Sequence, residues 1–413
     1  MNERIVIASL GIVSAVGEDV DATLKSLQSG RSGISAGPKH LSAKLTLPVG
    51  EIDCSHERLI SIIRERLPSE AQKMLSFLER PGMPRSVLLS ILAGLEAWRP
   101  VRNYSHKLRA GIVSANTVGG MDITEEHFEA YKDHPGSFDF SVFRHHECCR
   151  VTEWTQRFLG IRGWSGTIST ACSSSANSLI TAARLLAQDH LDMVLAGGVD
   201  ALTAFTMNGF NALKILDQDP CQPFDEHRRG LNLGEGAAYI VLCRESTAKA
   251  LGFPFIAVLS GYANSNDAFH QTASSPEGTG NILAMTNALK KAGLGMADID
   301  YINLHGTGTD NNDFSEGRAI QAICEAQGDP VPAASSTKAF TGHTLGAAGA
   351  VEAVFSCLAI REHAIWPHLR LKTPMAAFDW RPQTIFKRQN VRHVLSNSFG
   401  FGGNCSTLIF SKG

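Results

Sequence analysis

Short apolar runs that end in glycine loops and lead into helix-period segments recur along this chain, and that alternation limits its fold more than any other feature. Gly111-Ile112-Val113 leads to Gly119-Gly120, Met193-Val194-Leu195 to Gly197-Gly198, and the stretch from Ile299 to Leu304 to Gly306. Runs this short and this continuously apolar suit strands covered on both faces. The expectation is an α/β protein with largely buried strands and functional loops at their ends. A length of 413 residues with 43% hydrophobic content can bury a substantial core, in two domains or one large duplicated unit. There is no low-complexity tract and no short-period repeat.

Cys172 lies at one of these junctions, in Ile168-Ser169-Thr170-Ala171-Cys172-Ser173-Ser174-Ser175-Ala176-Asn177. Upstream, Trp164 to Thr170 reads as a strand. Downstream, Ala176, Leu179, Ile180, Ala183 and Leu186 recur at helical steps. A thiol at a helix start lies near unpaired N–H groups and the positive end of the helix dipole, which favour thiolate. The same segment also fits a small buried cysteine packing a helix start.

Two histidines farther along each follow a predicted strand in a glycine- and threonine-rich loop. They are His305 in Ile302-Asn303-Leu304-His305-Gly306-Thr307-Gly308-Thr309, and His343 in Ser335-Ser336-Thr337-Lys338-Ala339-Phe340-Thr341-Gly342-His343, ahead of an apolar helix from Leu345 to Ile360. Glycine lets backbone approach a ligand, and threonine hydroxyls hold polar groups. One thiol and two imidazoles, with Lys338 five residues before the second, suit acyl transfer.

Composition excludes several alternatives. A formal net charge of -2 gives no electrostatic footprint for nucleic acid. Nine cysteines without regular spacing form no disulfide framework, and adjacent Cys148 and Cys149 lack the pairing a zinc site needs despite His145 and His146, so neither a metal nor a cofactor is expected. A reduced cytoplasm is the expected compartment. The N-terminal run from Ile5 to Val16 has Glu3 before it, Gly11 within it and no Ala-x-Ala after it. It reads better as a strand, a tight glycine turn and a loop into a helix from Ala22 to Gln28 than as a signal peptide. No run is long enough to span a bilayer.

Taken together the motifs resemble the thiolase superfamily, and within it the elongating β-ketoacyl-acyl carrier protein synthases. The resemblance rests on Thr170-Ala171-Cys172-Ser173-Ser174, on His305-Gly306-Thr307-Gly308-Thr309 with Asp313 and Glu316 behind it, and on Ser336-Thr337-Lys338 with Thr341-Gly342-His343. It extends to Asn397-Ser398-Phe399-Gly400-Phe401-Gly402-Gly403, Gly197-Gly198-Val199-Asp200, Pro223-Phe224-Asp225 and Gly234-Glu235-Gly236. The matches keep the family's order over nearly the whole chain.

The resemblance implies a five-layer αβαβα sandwich of two similar halves, residues 1–251 with the nucleophile and 252–413 with the two histidines. The irregular stretch from Asn116 to Glu153 would be an insertion serving a dimer interface and substrate tunnel, or else a solvated surface loop. Cys172 would be acylated by a thioester, with the Cys172 and Phe401 amides as oxyanion donors. His305 and His343 would stabilise the enolate of a decarboxylating malonyl thioester, with Thr307 and Thr309 beside it. Phe401 would gate the site. Lys338 would orient it through Glu316, or form a structural ion pair. The partner implied is an acidic acyl carrier protein, with Lys214 at a position where the family often places a carrier-binding base, although an exposed helical lysine fits equally. Either a homodimer or a heterodimer with a homologous subunit is compatible.

Departures from the housekeeping pattern include Gly308 and Asp310, Arg229, Asn404 and Cys405, and the helix opening Ser173-Ser174-Ser175-Ala176-Asn177. They are reminiscent of the aryl polyene and flexirubin pigment branch. A biosynthetic thiolase would carry a Cys-x-Gly motif near Cys405, and a starter-type condensing enzyme an asparagine where His343 stands. A non-catalytic chain-length partner would lack Cys172, although a degenerate one can keep it.

Overall fold

The computed structural model describes residues 3–41, 45–80 and 82–413. Ten strands join in one mixed sheet: β1 (Ile5–Ser14), β2 (Ala110–Ala115), β3 (Ser165–Ile168), β4 (Met193–Asp200), β5 (Gly236–Arg244), β6 (Ala257–Asn266), β7 (Tyr301–Leu304), β8 (Ala333–Ser336), β9 (His393–Gly400) and β10 (Asn404–Ser411). Their spatial order is β3-β2-β4-β5-β1-β6-β10-β9-β7-β8. From either edge inward, the same pattern appears twice. Three strands run parallel, the fourth and fifth are antiparallel to their neighbours, and the halves meet at β1 and β6 through Val6 opposite Val258.

Strand alternation divides the core into layers, because successive side chains point to opposite faces. In β1, Ile5 and Ile7 face the central core while Val6 faces an outer one, and in β5 Ile240 and Leu242 face inward while Tyr239 and Val241 face out. In β10, Leu408 and Phe410 point inward and Ile409 outward. The first outer layer contains α1 (Arg85–Trp98) and α2 (Cys148–Leu159). The centre holds α3 (Ser174–Ala187) and α6 (Ala348–Glu362), and the second outer layer α4 (Thr279–Ala292) and α5 (Asp310–Gln327). The result is the five-layer αβαβα arrangement.

Several local expectations change in three dimensions. Gly11 lies inside β1 rather than at a turn. A Cβ there would come within 2.1 Å of the Ala93 carbonyl oxygen, so glycine is what lets α1 cross the strand. The turn comes later, at Gly17, and the helix after it spans Val20–Ser29 with Asp19 capping it through the Ala22 N–H. The stretch from Asn116 to Glu153 is not irregular. It contains a helix at Met121–Asp133, a 3₁₀ turn at Phe140–His145 and the start of α2. Its aromatics make a cluster in which Tyr131 of the helix Met121–Asp133 meets Phe138 edge-on at 5.6 Å.

The two central helices approach unusually closely. A Cβ at Gly349 would lie 2.7 Å from the Ala176 nitrogen and 2.9 Å from its Cβ. The Ala350 N–H donates to Ser175 Oγ at 2.9 Å across the same crossing. Replacing Gly349→Ala should therefore push the helices apart and lower stability by about 1–3 kcal/mol, read as a shifted urea midpoint. An unchanged midpoint would contradict this packing.

Candidate active site

Cys172 sits in a strained turn between β3 and α3. Ala171, immediately before it, has φ +52°, a left-handed conformation costly for a residue with a Cβ. The turn is tied down by the Ser174 hydroxyl, which donates to the Ala171 carbonyl at 2.6 Å and accepts the Thr170 N–H at 2.8 Å. Cys172 is only 6% exposed. The Lys338 charge and the backbone N–H groups of Phe401 and of Cys172 itself favour thiolate. Burial outweighs all three and pushes the thiol up to about 11. The thiolate bias expected of a helix start is thus corrected: the resting group is a thiol, because desolvation of a buried anion is the larger effect.

His305 follows β7, and His343 follows a short helical turn after β8. Their rings meet edge-to-face with centroids 5.5 Å apart. Burial and the nearby Lys338 charge hold both rings well below the ordinary histidine range, so both are neutral at physiological pH. Lys338 Nζ donates to His305 Nδ1 at 3.3 Å. An ammonium has donors only, so Nδ1 is the acceptor and the His305 proton is on Nε2. The Nδ1 of His343 is buried without a hydrogen-bond partner among the described residues.

Lys338 does not pair with Glu316. It is buried against Glu352 of α6, in a contact between two side chains each 3% exposed. Glu316 instead accepts the His305 and Gly306 backbone N–H groups at 2.9 and 2.8 Å, and the Asn397 amide at 3.0 Å. Asp313, one turn earlier on α5, accepts the Thr307 and Gly308 N–H groups. These carboxylates fix the loop from which Thr307 and Thr309 project, and the two hydroxyls lie 2.9 Å apart. Burial raises Glu316 and Glu352 to about 7.

Cys172, His305, His343, Thr307, Thr309 and Phe401 all line one cavity of about 280 Å³. A second cavity, about 190 Å³, shares Cys172, Phe401 and Phe210 with the first and is otherwise walled by apolar groups such as Val118, Met121 and Leu345. Phe401 stacks on Phe210 at 5.8 Å and 17°, so this ring pair forms the border between the two spaces. Lys214 lines the first cavity with Arg229, but it is past the end of the helix Ala204–Ala212, at φ +57°, rather than on it. Arg229 is engaged by Asp217 and Asp219. Cys148 and Cys149 open α2 and line neither cavity, the first half-buried and the second exposed.

Sequence reasoning missed Glu352, Phe210, the second cavity and the bond from Asn397 to Glu316. A lone acid in the apolar run of α6 was a usable signal for Glu352. The others required knowing which loops meet.

The chain matches the family model for the N-terminal domain of β-ketoacyl synthase over residues 2–248 and that for its C-terminal domain over residues 256–372. It belongs to the β-ketoacyl synthase family. Among its relatives, the 3-oxoacyl-[acyl-carrier-protein] synthase 2 of Vibrio cholerae is 31% identical, with 99% of each chain covered. Among the solved structures that resemble it over its whole length, two pair a ketosynthase with a chain length factor. One is the ishigamide ketosynthase/chain length factor, at 27% identity and TM-score 0.88, with 100% of that chain covered. The other is the ketosynthase ApeO in complex with its chain length factor ApeC from Xenorhabdus doucetiae, at 32% identity and TM-score 0.85, with 98% of that chain covered. Among the described residues no helix is long and apolar enough to cross a membrane.

The buried Lys338–Glu352 pair yields a direct test. Glu352→Ala leaves an uncompensated ammonium in the core and should cost about 3–5 kcal/mol, whereas the double change Lys338→Met with Glu352→Leu should recover most of that loss. Urea denaturation measures both. A single variant as stable as wild type would contradict the pairing.

Proposed function

We propose that this protein is a 3-oxoacyl-acyl carrier protein synthase that works by ping-pong acyl transfer, its first half (residues 1–251) supplying the nucleophile and its second (252–413) the histidines. The observation that carries this reading is the single cavity onto which Cys172, flanked by two backbone N–H donors, and two neutral imidazoles all open.

In the first half-reaction, the Cys172 sulfur attacks the thioester carbonyl of an acyl carrier. The thiol is protonated at rest, so its proton must leave as the bond forms. His343, whose Nδ1 has no hydrogen-bond partner among the described residues, takes that proton and returns it to the departing carrier thiolate. The Phe401 and Cys172 N–H groups hold the oxyanion. The acyl chain then extends past the Phe210–Phe401 border into the apolar cavity.

In the second half-reaction a malonyl thioester occupies the polar cavity beside Thr307 and Thr309. Its C–C bond breaks, carbon dioxide leaves, and the electron pair forms an enolate whose oxygen receives the His305 Nε2–H, with His343 as the second imidazole. The enolate carbon bonds to the acyl carbonyl, and collapse of that adduct expels the Cys172 thiolate. The product is longer by two carbons. Lys338 acts from behind by fixing the His305 tautomer. Phe401, on a loop of glycines, is the gating ring. No cofactor or metal enters the scheme.

The partners in this reading are the acyl- and malonyl-loaded forms of an acyl carrier protein, and a second subunit, either another copy or a homologue. A cytoplasmic setting fits nine cysteines that are all free. The aromatic wall of the apolar cavity suits a conjugated acyl chain of the pigment branch as well as a saturated one. A purely non-catalytic chain-length subunit has no use for a nucleophile so equipped.

Cys172→Ala should abolish acyl-enzyme formation, read by intact mass. His305→Ala should lose condensation by about 10²–10³-fold or more while retaining more of the acyl transfer, whereas His343→Ala, which also removes the base of the first half-reaction, should lower both steps. Either histidine variant condensing within a few-fold of wild type would make that ring structural.

For the carrier, Lys214 is the free cation at the mouth, without an ion pair among the described residues. Lys214→Glu should slow turnover with acyl-carrier by about tenfold at low salt and spare a small thioester mimic. Equal rates on both would remove Lys214 from the docking surface.

A further inference from the structure

Two of the places where this sequence departs from the housekeeping pattern, Asn177 on the helix after the nucleophile and Asn404 after the glycine loop, touch each other. Asn177 Nδ2 donates to Asn404 Oδ1 at 2.8 Å. The same oxygen receives the Ser173 hydroxyl at 2.6 Å and Asn264 Nδ2 at 2.8 Å. Asn177 Nδ2 also donates to Thr170 Oγ1 at 2.9 Å, and its own carbonyl oxygen accepts from the Ser406 hydroxyl at 2.8 Å. One side-chain oxygen thus joins the nucleophile turn, the start of α3, β6 and β10.

Asn404 pairs with Gly400 across the base of the β9–β10 hairpin, and the three residues between them are Phe401, Gly402 and Gly403. Gly402 and Gly403 both have positive φ, 79° and 76°, so the loop has little internal stiffness of its own. At its other end Gly400 lies against the nucleophile turn, where a Cβ would be 3.0 Å from the Thr170 carbonyl oxygen and 3.2 Å from the Cys172 nitrogen. The position of the Phe401 N–H relative to Cys172 therefore depends on how the hairpin base is tied to residues 170–177. Asn404 makes that tie without lining either cavity that opens onto Cys172.

We propose that Asn404, through Ser173, Asn177 and Asn264, is a positioning residue that holds the Phe401 N–H on the Cys172 sulfur and so assembles the oxyanion site. The inference rests on Cys172 being the acylated nucleophile, but one of its readouts does not. Without the tie, the loop carrying Phe401 samples positions in which its N–H no longer faces the sulfur. The thiolate and the oxyanion of acyl transfer then lose the same donor.

The test follows alkylation of the Cys172 peptide by iodoacetamide against pH, by mass, together with kcat and KM for acyl transfer from an acyl-carrier thioester. Asn404→Ala should displace the alkylation profile to higher pH and lower kcat by about tenfold, less than outright loss of an oxyanion donor, with KM within about twofold. Asn404→Thr keeps an oxygen that can accept from Ser173 and Asn177 and should recover most of both. Asn177→Ala should produce a smaller shift in the same direction, and in combination with Asn404→Ala add little, because both act through one contact. If neither Asn404→Ala nor Asn177→Ala displaces the profile or lowers kcat, the network only packs the hairpin and the proposal is overturned. A wild type that takes no acyl group from any carrier would instead overturn the functional reading, and the alkylation profiles would still decide the part played by Asn404.

Discussion

The crossing of α3 and α6 at Ala176 and Gly349 is the contact on which this site depends. It joins the two halves through their central helices, and each helix starts from a loop of the candidate site. Cys172 stands just before α3, and His343 just before the turn that opens α6. With backbone-scale separation at the crossing, a shift of either helix moves the thiol relative to the imidazole. Close packing in the middle layer thereby becomes geometry at the cavity.

Buried carboxylates keep the surrounding loops in shape. Asp200, at the end of β4, accepts the Thr117 and Val118 N–H groups from one half and the Gly346 N–H from the other, so one side chain ties together two walls of the apolar cavity. Glu316 and Asp313 do the same for the His305 loop. Each offsets the cost of burying a carboxyl with several N–H donors, which aim poorly in a flexible loop. Lys338 is held differently, by a charge partner on the central helix, and this ammonium helps keep both histidines neutral.

Much of this organisation was legible in the sequence where local rules govern it. Apolar runs ending in glycines marked buried strands, and His305 sits directly after one, whereas Cys172 follows the half-exposed edge strand β3 and His343 lies one helical turn beyond β8. What depended on distant segments was not legible. Lys338 finds Glu352 because α6 passes behind the site, whereas Glu316 is committed to backbone donors of its own loop. The thiol's protonation turned on burial, which outweighs the helix-start effect that sequence reveals. Asn177 and Asn404 could be recognised as unusual, yet 227 positions separate them and only the fold makes them partners.

The proposed chemistry requires that Cys172 carry the growing chain. Wild-type protein loaded with an acyl-carrier thioester and then mixed rapidly with malonyl-carrier, quenched at intervals, digested and read by mass, follows the Cys172 peptide and the product together. The expected result is an acyl adduct on that peptide, disappearing at the rate at which the product two carbons longer appears. Product forming while the Cys172 peptide stays unmodified, or while the acyl group resides on another residue, would contradict it.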